Sequence, residues 1–483
     1  MKIRRVHCIW FGTVVGLFFL SCTPRGDYKT LIEQGQFKKA SRIIVSELNS
    51  NPNLTESDRL NLQFELERMR RIRQDFTKNE KDILDYVKKY VPAVNKSDLR
   101  KWEASNALEA LTIDGEKWYF NSAAPNLFRL EPTLKALKQR ADSLELVASP
   151  REKFALDEHI QKIMTTAIRM GKRYVCPVNL KIKHSISVPA NVVPAGKVIR
   201  CWIPFPRDIA GRQVAIKLLS TDPQRYIIAD NEMTLQRTIY FEKVTVKDSV
   251  TNFLVEYSYQ SYGVYVPIEA DKVRPTPSRP DLQPFLSEQP PHIVFTPEIR
   301  ELSRQIVDNE TNPYRVAQKL FAWVDNNIPW ASAREYSTFT NIPSYVLHNR
   351  HGDCGMQTLA FITLCRLNGI PARWQSGWEF QPPDDSMHDW GEIYFEPYGW
   401  VPMDVTYGQR TTTDEHLRWF YLNGMDSYRL IFNEGISDNF YPAKVHFRSE
   451  TVDSQRGEVE WEGGNLYFDQ WDWNLEWELI SRQ

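Results

Sequence analysis

Past its first two dozen residues, the 483-residue chain has no apolar run long enough to cross a bilayer. It also has no block of basic residues. Its 60 Lys and Arg against 61 Asp and Glu leave a formal charge of −1, so the electrostatic footprint of a nucleic-acid binder is missing. Cysteine is scarce, at 6, and Cys8 and Cys22 both stand in the N-terminal segment. The other four, Cys176, Cys201, Cys354 and Cys365, are too few for a disulfide scaffold. No Cys-x-x-Cys pair occurs, which removes the usual framework of a structural zinc site. Neither a metal nor a cofactor is expected.

What the chain does have is ordinary globular composition, with 42% apolar and 25% charged residues, over a length that calls for about three domains. Aromatics are plentiful, with 15 Trp, which points to large cores or aromatic-lined clefts. The N-terminus pairs a basic start (Lys2, Arg4, Arg5) with an apolar stretch from Ile9 to Leu20, the pattern of a secretory leader. Phe19-Leu20-Ser21-Cys22 resembles a bacterial lipobox. That implies a signal peptide over 1–21, lipidation of Cys22, and an exported protein anchored by lipid to the cell envelope.

The rest reads as an α+β multidomain chain. Residues 22–172 carry apolar positions at helical spacing, as in LIEQGQFKKASRIIVSELNS, and Thr55-Glu56-Ser57-Asp58 looks like a helix start. No second copy of the first phrase recurs, so no repeat array is expected. Residues 173–266 alternate apolar and polar, as in VNLKIKHSISV and KVIRCWIPF, and predict a β-sandwich-like domain. A hairpin turning near residue 193 would set Cys201 opposite residue 185 or so, which disfavours a bridge to Cys176 across it. Residues 267–296 are a proline-rich linker. The remainder, 297–483, reads as the catalytic domain with a C-terminal β extension. Trp471, Trp473 and Trp477 alternate on one strand face there. Packing into a core explains them better than sugar stacking does.

HGDCGMQTLAFITLCRLNGIPARW, residues 351–374, holds two of the cysteines. Asp353 is a good N-cap, and Gly369 with Pro371 is a strong stop, so the apolar stretch between them predicts a buried helix. Cys354 falls in its first turn. Cys365, eleven residues on, lies roughly 16 Å away at 1.5 Å per residue, too far for a shared bond or metal. Free N–H groups and the positive end of the dipole favour a thiolate at Cys354 and can face an oxyanion. Cys365 sits among leucines and reads as core. Downstream, HDWGEIYF and WVPMDVTYG predict two paired strands that carry His388 and Asp404, 34 and then 16 residues further along. A helix start packed on such a pair can gather thiol, imidazole and carboxylate: His takes the thiol proton and Asp fixes its tautomer. Capping and solvent exposure account for Asp353 and Asp389, and Gln357 is placed to line the cleft.

These residues also carry a resemblance. GDCGMQTLAFITLCRLNGIPAR followed by HDWGEIYFEPYGWVPMD contains, in order, the G-x-C, G-I-P-A-R, H-x-W and G-W-x-P-x-D elements of the transglutaminase-like superfamily. The resemblance implies a cysteine-protease-type α+β core with the helix-borne Cys354 as nucleophile, His388 as base and Asp404 as orienting acid. It also implies an oxyanion donor beside the Cys354 N–H, for which Trp330 and Tyr336 are the candidates. The expected chemistry is attack on an amide or peptide carbonyl through a thioester, with water as the preferred acceptor. That makes a peptidase or amidase acting on a protein or peptide, possible peptidoglycan peptides included. The alternatives are amine transfer to protein glutamine, and a non-catalytic envelope scaffold. Papain-like proteases, with a Cys-to-His gap of about 130 residues, fit the spacing poorly.

Overall fold

The computed structural model describes residues 27–148 and 154–482. The expected leader, its cleavage site and Cys22 lie outside the described residues. Among the described residues no helix is long and apolar enough to cross a membrane.

Local sequence explains the N-terminal helices. Thr55 accepts a hydrogen bond from the Asp58 N–H, and the Asp58 carboxylate accepts one from the Thr55 N–H, which together cap the helix Glu56–Asp75. Asn79 with Asp82 and Asn95 with Asp98 repeat the arrangement on Glu80–Lys88 and Lys96–Ala104. Each such cap contributes about 1 kcal/mol. These helices close over Phe37, Ile44, Leu62, Ile72, Phe76 and Leu127. One part differs from the helical expectation: Ala110–Ile113 and Glu116–Tyr119 form a β-hairpin. The reason is its turn, Asp114-Gly115, in which both residues take positive φ (51° and 93°); Asp-Gly is the pair that such two-residue turns require.

The hairpin expected around residue 193 does not form. Tyr174–Val188 instead pairs with Thr251–Tyr265 and Asp472–Arg482. Val198–Pro204 pairs with Thr238–Val244 and Glu458–Trp461, in a separate sheet. The intervening PANVVPAG carries the chain from one sheet to the other. Both strands alternate because each turns one face into a shared core of Leu180, Ile182, Ile203, Phe241, Phe253 and Val255. Cys176 and Cys201 are free and buried.

The C-terminal strands correct a second expectation. Rather than extending the catalytic region, Glu458–Trp461 and Asp472–Arg482 complete the two sandwich sheets. Trp471 is buried, with its indole N–H donating to the Leu466 carbonyl at 3.0 Å. Trp473 packs edge-on against Trp378, and Trp477 lies against Phe380. The stripe packs on the core, with Trp471 inside it and Trp473 and Trp477 half-buried at its edge.

Residues 267–296 hold two short 3₁₀ turns, Ala270–Lys272 and Pro280–Phe285, and lie along the helices and sheet that follow. The Arg274 N–H donates to the Glu396 carbonyl, and Arg366 reaches the Pro284 and Ser287 carbonyls. Thr296 and Asn312 cap the next two helices, Pro297–Val307 and Pro313–Asn327. After Ile342–Asn349 comes Cys354–Leu367, capped by Asp353. It packs on a four-stranded antiparallel sheet ordered Gly399–Met403, Asp384–Phe395, Ala372–Gln381, Arg429–Asn433. Cys365 is fully buried in this core, and burial pushes its thiol far above the ordinary range.

Candidate active site

The first turn of the helix Cys354–Leu367 brings the thiol to the sheet. Asp353 Oδ1 accepts from the Met356 N–H at 3.0 Å and from the Tyr336 hydroxyl at 2.7 Å. Cys354 Sγ donates to Asp389 Oδ2 at 3.5 Å. The Tyr336 hydroxyl also lies 3.2 Å from that oxygen, but its single proton goes to the nearer Asp353. Asp389 Oδ1 accepts from Gln455 Nε2 at 2.8 Å. This crowding dictates glycine at position 355. A Cβ there would stand 2.2 Å from Tyr336 Oη and 2.5 Å from Asp389 Oδ2.

Acidic groups crowd this corner, with Arg334 and Arg456 on the wall of the same cavity. Burial pushes Asp353 up to about 6. Burial, then the neighbouring Asp453 and Asp353, holds Asp389 well above the carboxylate range. Burial, then Asp389 and Asp353, likewise raises the Cys354 thiol. At neutral pH the thiol is therefore protonated in this state, whatever the helix dipole offers it.

His388 and Asp404 are already joined. His388 Nε2 lies 2.8 Å from Asp404 Oδ2, with Asp404 fully buried. Asp404 also accepts from Arg429 Nη1 at 2.9 Å and from the Thr406 N–H at 3.1 Å. The imidazole lies over Trp390 and meets Tyr407 edge-on. Burial favours neutral Asp404, but His388 and Arg429 outweigh it and hold the carboxyl below its ordinary value. Burial likewise works against the imidazolium, yet Glu379 and Asp404 prevail and raise His388. Both shifts favour the charged pair, and Nδ1 is the ring nitrogen that the Asp404 contact leaves free. Among the described residues the hydrogen bond of the Cys354 thiol runs to Asp389 and not to His388.

Residues 300–405 match the family model of the transglutaminase-like superfamily, a span that contains Cys354 and His388 and ends one residue past Asp404. This segment is a transglutaminase-like domain. Outside it, similarity is thin. YebA of Bacillus subtilis (strain 168) is 27% identical over 81 residues, which take in 14% of this chain and 11% of YebA; the match spans about a tenth of that relative's length. A cysteine protease candidate from Cytophaga hutchinsonii superposes with a TM-score of 0.45 at 15% identity, over 64% of this chain and 93% of that one. The periplasmic domain of TgpA from Pseudomonas aeruginosa superposes with a TM-score of 0.26 at 14% identity, over 53% and 92%.

Within the transglutaminase-like domain, the two oxyanion candidates stand in different settings. Trp330 is 41% exposed at the mouth of the site, with the Arg129 guanidinium 4.9 Å from its ring. Tyr336 is inside, its hydroxyl against the turn that carries Cys354. Both line a cavity of about 240 Å³ that includes Cys354. A larger cavity of about 700 Å³ opens beside His159 and Tyr428, and is lined by none of Cys354, His388 and Asp404.

Two expectations change here. Asp389 is only 3% exposed and binds the thiol. Its strand is buried on both faces from His388 to Gly391, so alternation there does not mean solvent. Gln357 does not line the cleft. Its amide donates to the Ile328 carbonyl at 2.7 Å and accepts from Thr406 Oγ1 at 2.7 Å, tying the helix to the loop after Asp404. Arg429, Glu379 and Gln455 were not singled out by sequence, because nothing local marks a residue whose role comes from a distant strand or loop.

Proposed function

We propose that the protein is a cysteine-dependent acyl-transfer enzyme, a peptidase or amidase of the cell envelope, with Cys354 as nucleophile, His388 as base and Asp404 as the group that orients His388. The 2.8 Å contact between His388 Nε2 and Asp404 Oδ2, beside the helix start that carries Cys354, supports this reading most strongly. The envelope assignment rests on the N-terminal leader pattern and Cys22.

In the reaction, the thiol leaves Asp389 and gives its proton to His388 Nδ1, and the sulfur attacks the carbonyl carbon of an amide. Negative charge gathers on the carbonyl oxygen, where unsatisfied N–H groups of the helix's first turn are the donors to hand. Imidazolium next protonates the departing amine, leaving a thioester on Cys354. Water, deprotonated by the same ring, then attacks that thioester and releases the acid with the free thiol. Asp404 stays ionised throughout and steadies the imidazolium.

The test is labelling of the full-length protein with iodoacetamide, followed by a screen of peptide amides with Cys354→Ala as control. Selective alkylation of Cys354 that slows sharply in His388→Ala, together with release of amine, supports the hydrolase. Incorporation of a labelled amine in place of hydrolysis would make it a transferase. A thiol whose reactivity ignores His388 would leave a scaffold.

A further inference from the structure

The cavity beside Cys354 has an acidic wall that the acyl-transfer chemistry does not use. Its far side is the segment from Ser449 to Arg456, which reaches the site just before the sandwich strand Glu458–Trp461. Four carboxyls besides Asp353 line it, and they fall into two kinds. Glu335 and Glu450 are held by Arg456, at 2.7 and 2.8 Å. Asp389 and Asp453 have no such partner. Among the described residues, neither is ion-paired with a Lys or Arg.

Asp453 is the more exceptional of the two. It is 5% exposed, and its carboxylate accepts no hydrogen bond from any other residue among those described. Arg448 Nη2 is spent on the Asp453 backbone carbonyl. A buried carboxylate facing a cavity with nothing to meet it costs free energy that a ligand can return. Among the described residues, no group of three or more His, Cys, Asp or Glu side chains could hold a metal ion, so the chemistry suits an organic cation.

We propose that this cavity is a subsite for a protonated primary amine of the substrate, bound by Asp453 together with Asp389, next to the acyl group that Cys354 attacks. The proposal rests on the reading of Cys354 as nucleophile. Such an ammonium can be the free amino terminus of a peptide or the side chain of a diamino acid, and both present the same –NH₃⁺ group. The ammonium also serves the chemistry. Of the two carboxyls it would meet, Asp389 raises the Cys354 thiol, so binding the right substrate releases the thiol for transfer to His388. Asp453 feels Glu450, and less so Arg456 and Arg448. Asp389 feels Asp453 and Asp353, and accepts the hydrogen bond of the Cys354 thiol. Counted formally, five carboxyls line the cavity against Arg334 and Arg456.

The experiment follows alkylation of Cys354 against pH in the full-length protein, with n-butylammonium, glycinamide or n-butanol present. The ammonium probe is expected to speed labelling at pH 7 several-fold and to shift the profile to lower pH, while n-butanol does neither. A response to n-butylammonium alone assigns a side-chain amine, and a response to glycinamide alone assigns an amino terminus. Asp453→Asn is expected to erase the response. In Cys354→Ala, thermal melting should still rise with the ammonium probe, which keeps the subsite testable if the thiol proves inert. Equal effects of n-butylammonium and n-butanol, or an ammonium response undiminished in Asp453→Asn, would overturn the proposal. Labelling that ignores His388→Ala would instead overturn the catalytic reading and leave the subsite standing.

Discussion

Asp389 follows His388 on the same strand, yet Asp389 and not His388 receives the hydrogen bond of the Cys354 thiol, at 3.5 Å. The proposed nucleophile is thus held protonated beside an acid, one residue away from its proposed base. Most of the expected behaviour of this site follows from that arrangement.

Replacing the acid should loosen the thiol. Asp389→Asn keeps a group of the same shape but cannot ionise, so the Cys354 alkylation profile should move to lower pH in the range where Asp389 itself is charged. The rise in rate in that range should be on the order of tenfold, the equivalent of one pKa unit. Burial persists in the variant, so the thiol should stay above its ordinary value.

Loss of the base should be felt in turnover more than in binding. His388→Ala is expected to lower kcat by on the order of 10² to 10⁴ and to leave KM nearly unchanged, as steady-state kinetics on a cleaved peptide amide would show. Asp404→Asn should also lower the pH at which His388 titrates, because it removes one of the two carboxylates that hold the imidazolium. Its cost in stability should fall short of the roughly 3–5 kcal/mol of a lone broken pair, since Asp426 still faces Arg429 at 2.8 Å.

Gly355→Ala should separate packing from chemistry. The added methyl meets Tyr336 Oη and Asp389 Oδ2 inside contact distance, and overpacking of this kind costs about 1–3 kcal/mol. Urea unfolding should show that loss while Cys354 labelling also changes, because the displaced groups are the thiol's neighbours.

At the base of the N-terminal helices, Asp75 Oδ2 accepts from the Glu335 N–H at 3.2 Å, and burial, then Glu335, pushes its carboxyl up to about 7. In the unfolded chain the same group titrates near 3.9. The folded state therefore holds this proton more tightly, and stability falls as pH rises from about 4 to about 7. Asp75→Asn should be neutral at pH 4 and stabilising above pH 7, by at most about 4 kcal/mol. Urea midpoints at the two pH values would check this, and equal midpoint differences would contradict it.

The parts legible in the sequence are those written in local chemistry. The helix Cys354–Leu367 begins after its Asp353 cap and ends at Asn368, just before Gly369, because caps and stops act on adjacent residues. His388 and Asp404 come together because His388 lies on Asp384–Phe395 and Asp404 comes one residue after its partner Gly399–Met403, a pair that the short turn before Gly399 sets in register. Alternation in Tyr174–Val188 and Val198–Pro204 announced strands correctly but not their partners. Register and pairing across nearly 300 residues leave no local mark. Asp389 was misjudged for a related reason. Polarity suggests solvent, whereas here both faces of the strand are covered and the carboxyl is bonded inside.

The return of the C-terminal strands to the sandwich fixes who owns each wall of the site. Cys354 is carried by a helix of the transglutaminase-like domain, whereas Asp453 and Gln455 hang from the edge of a sandwich strand. The two walls of the cleft thus reach it from different sheets, and the spacing between them is fixed where those sheets pack together. Trp378 and Phe380 against Trp473 and Trp477 are part of that packing, far from the sulfur.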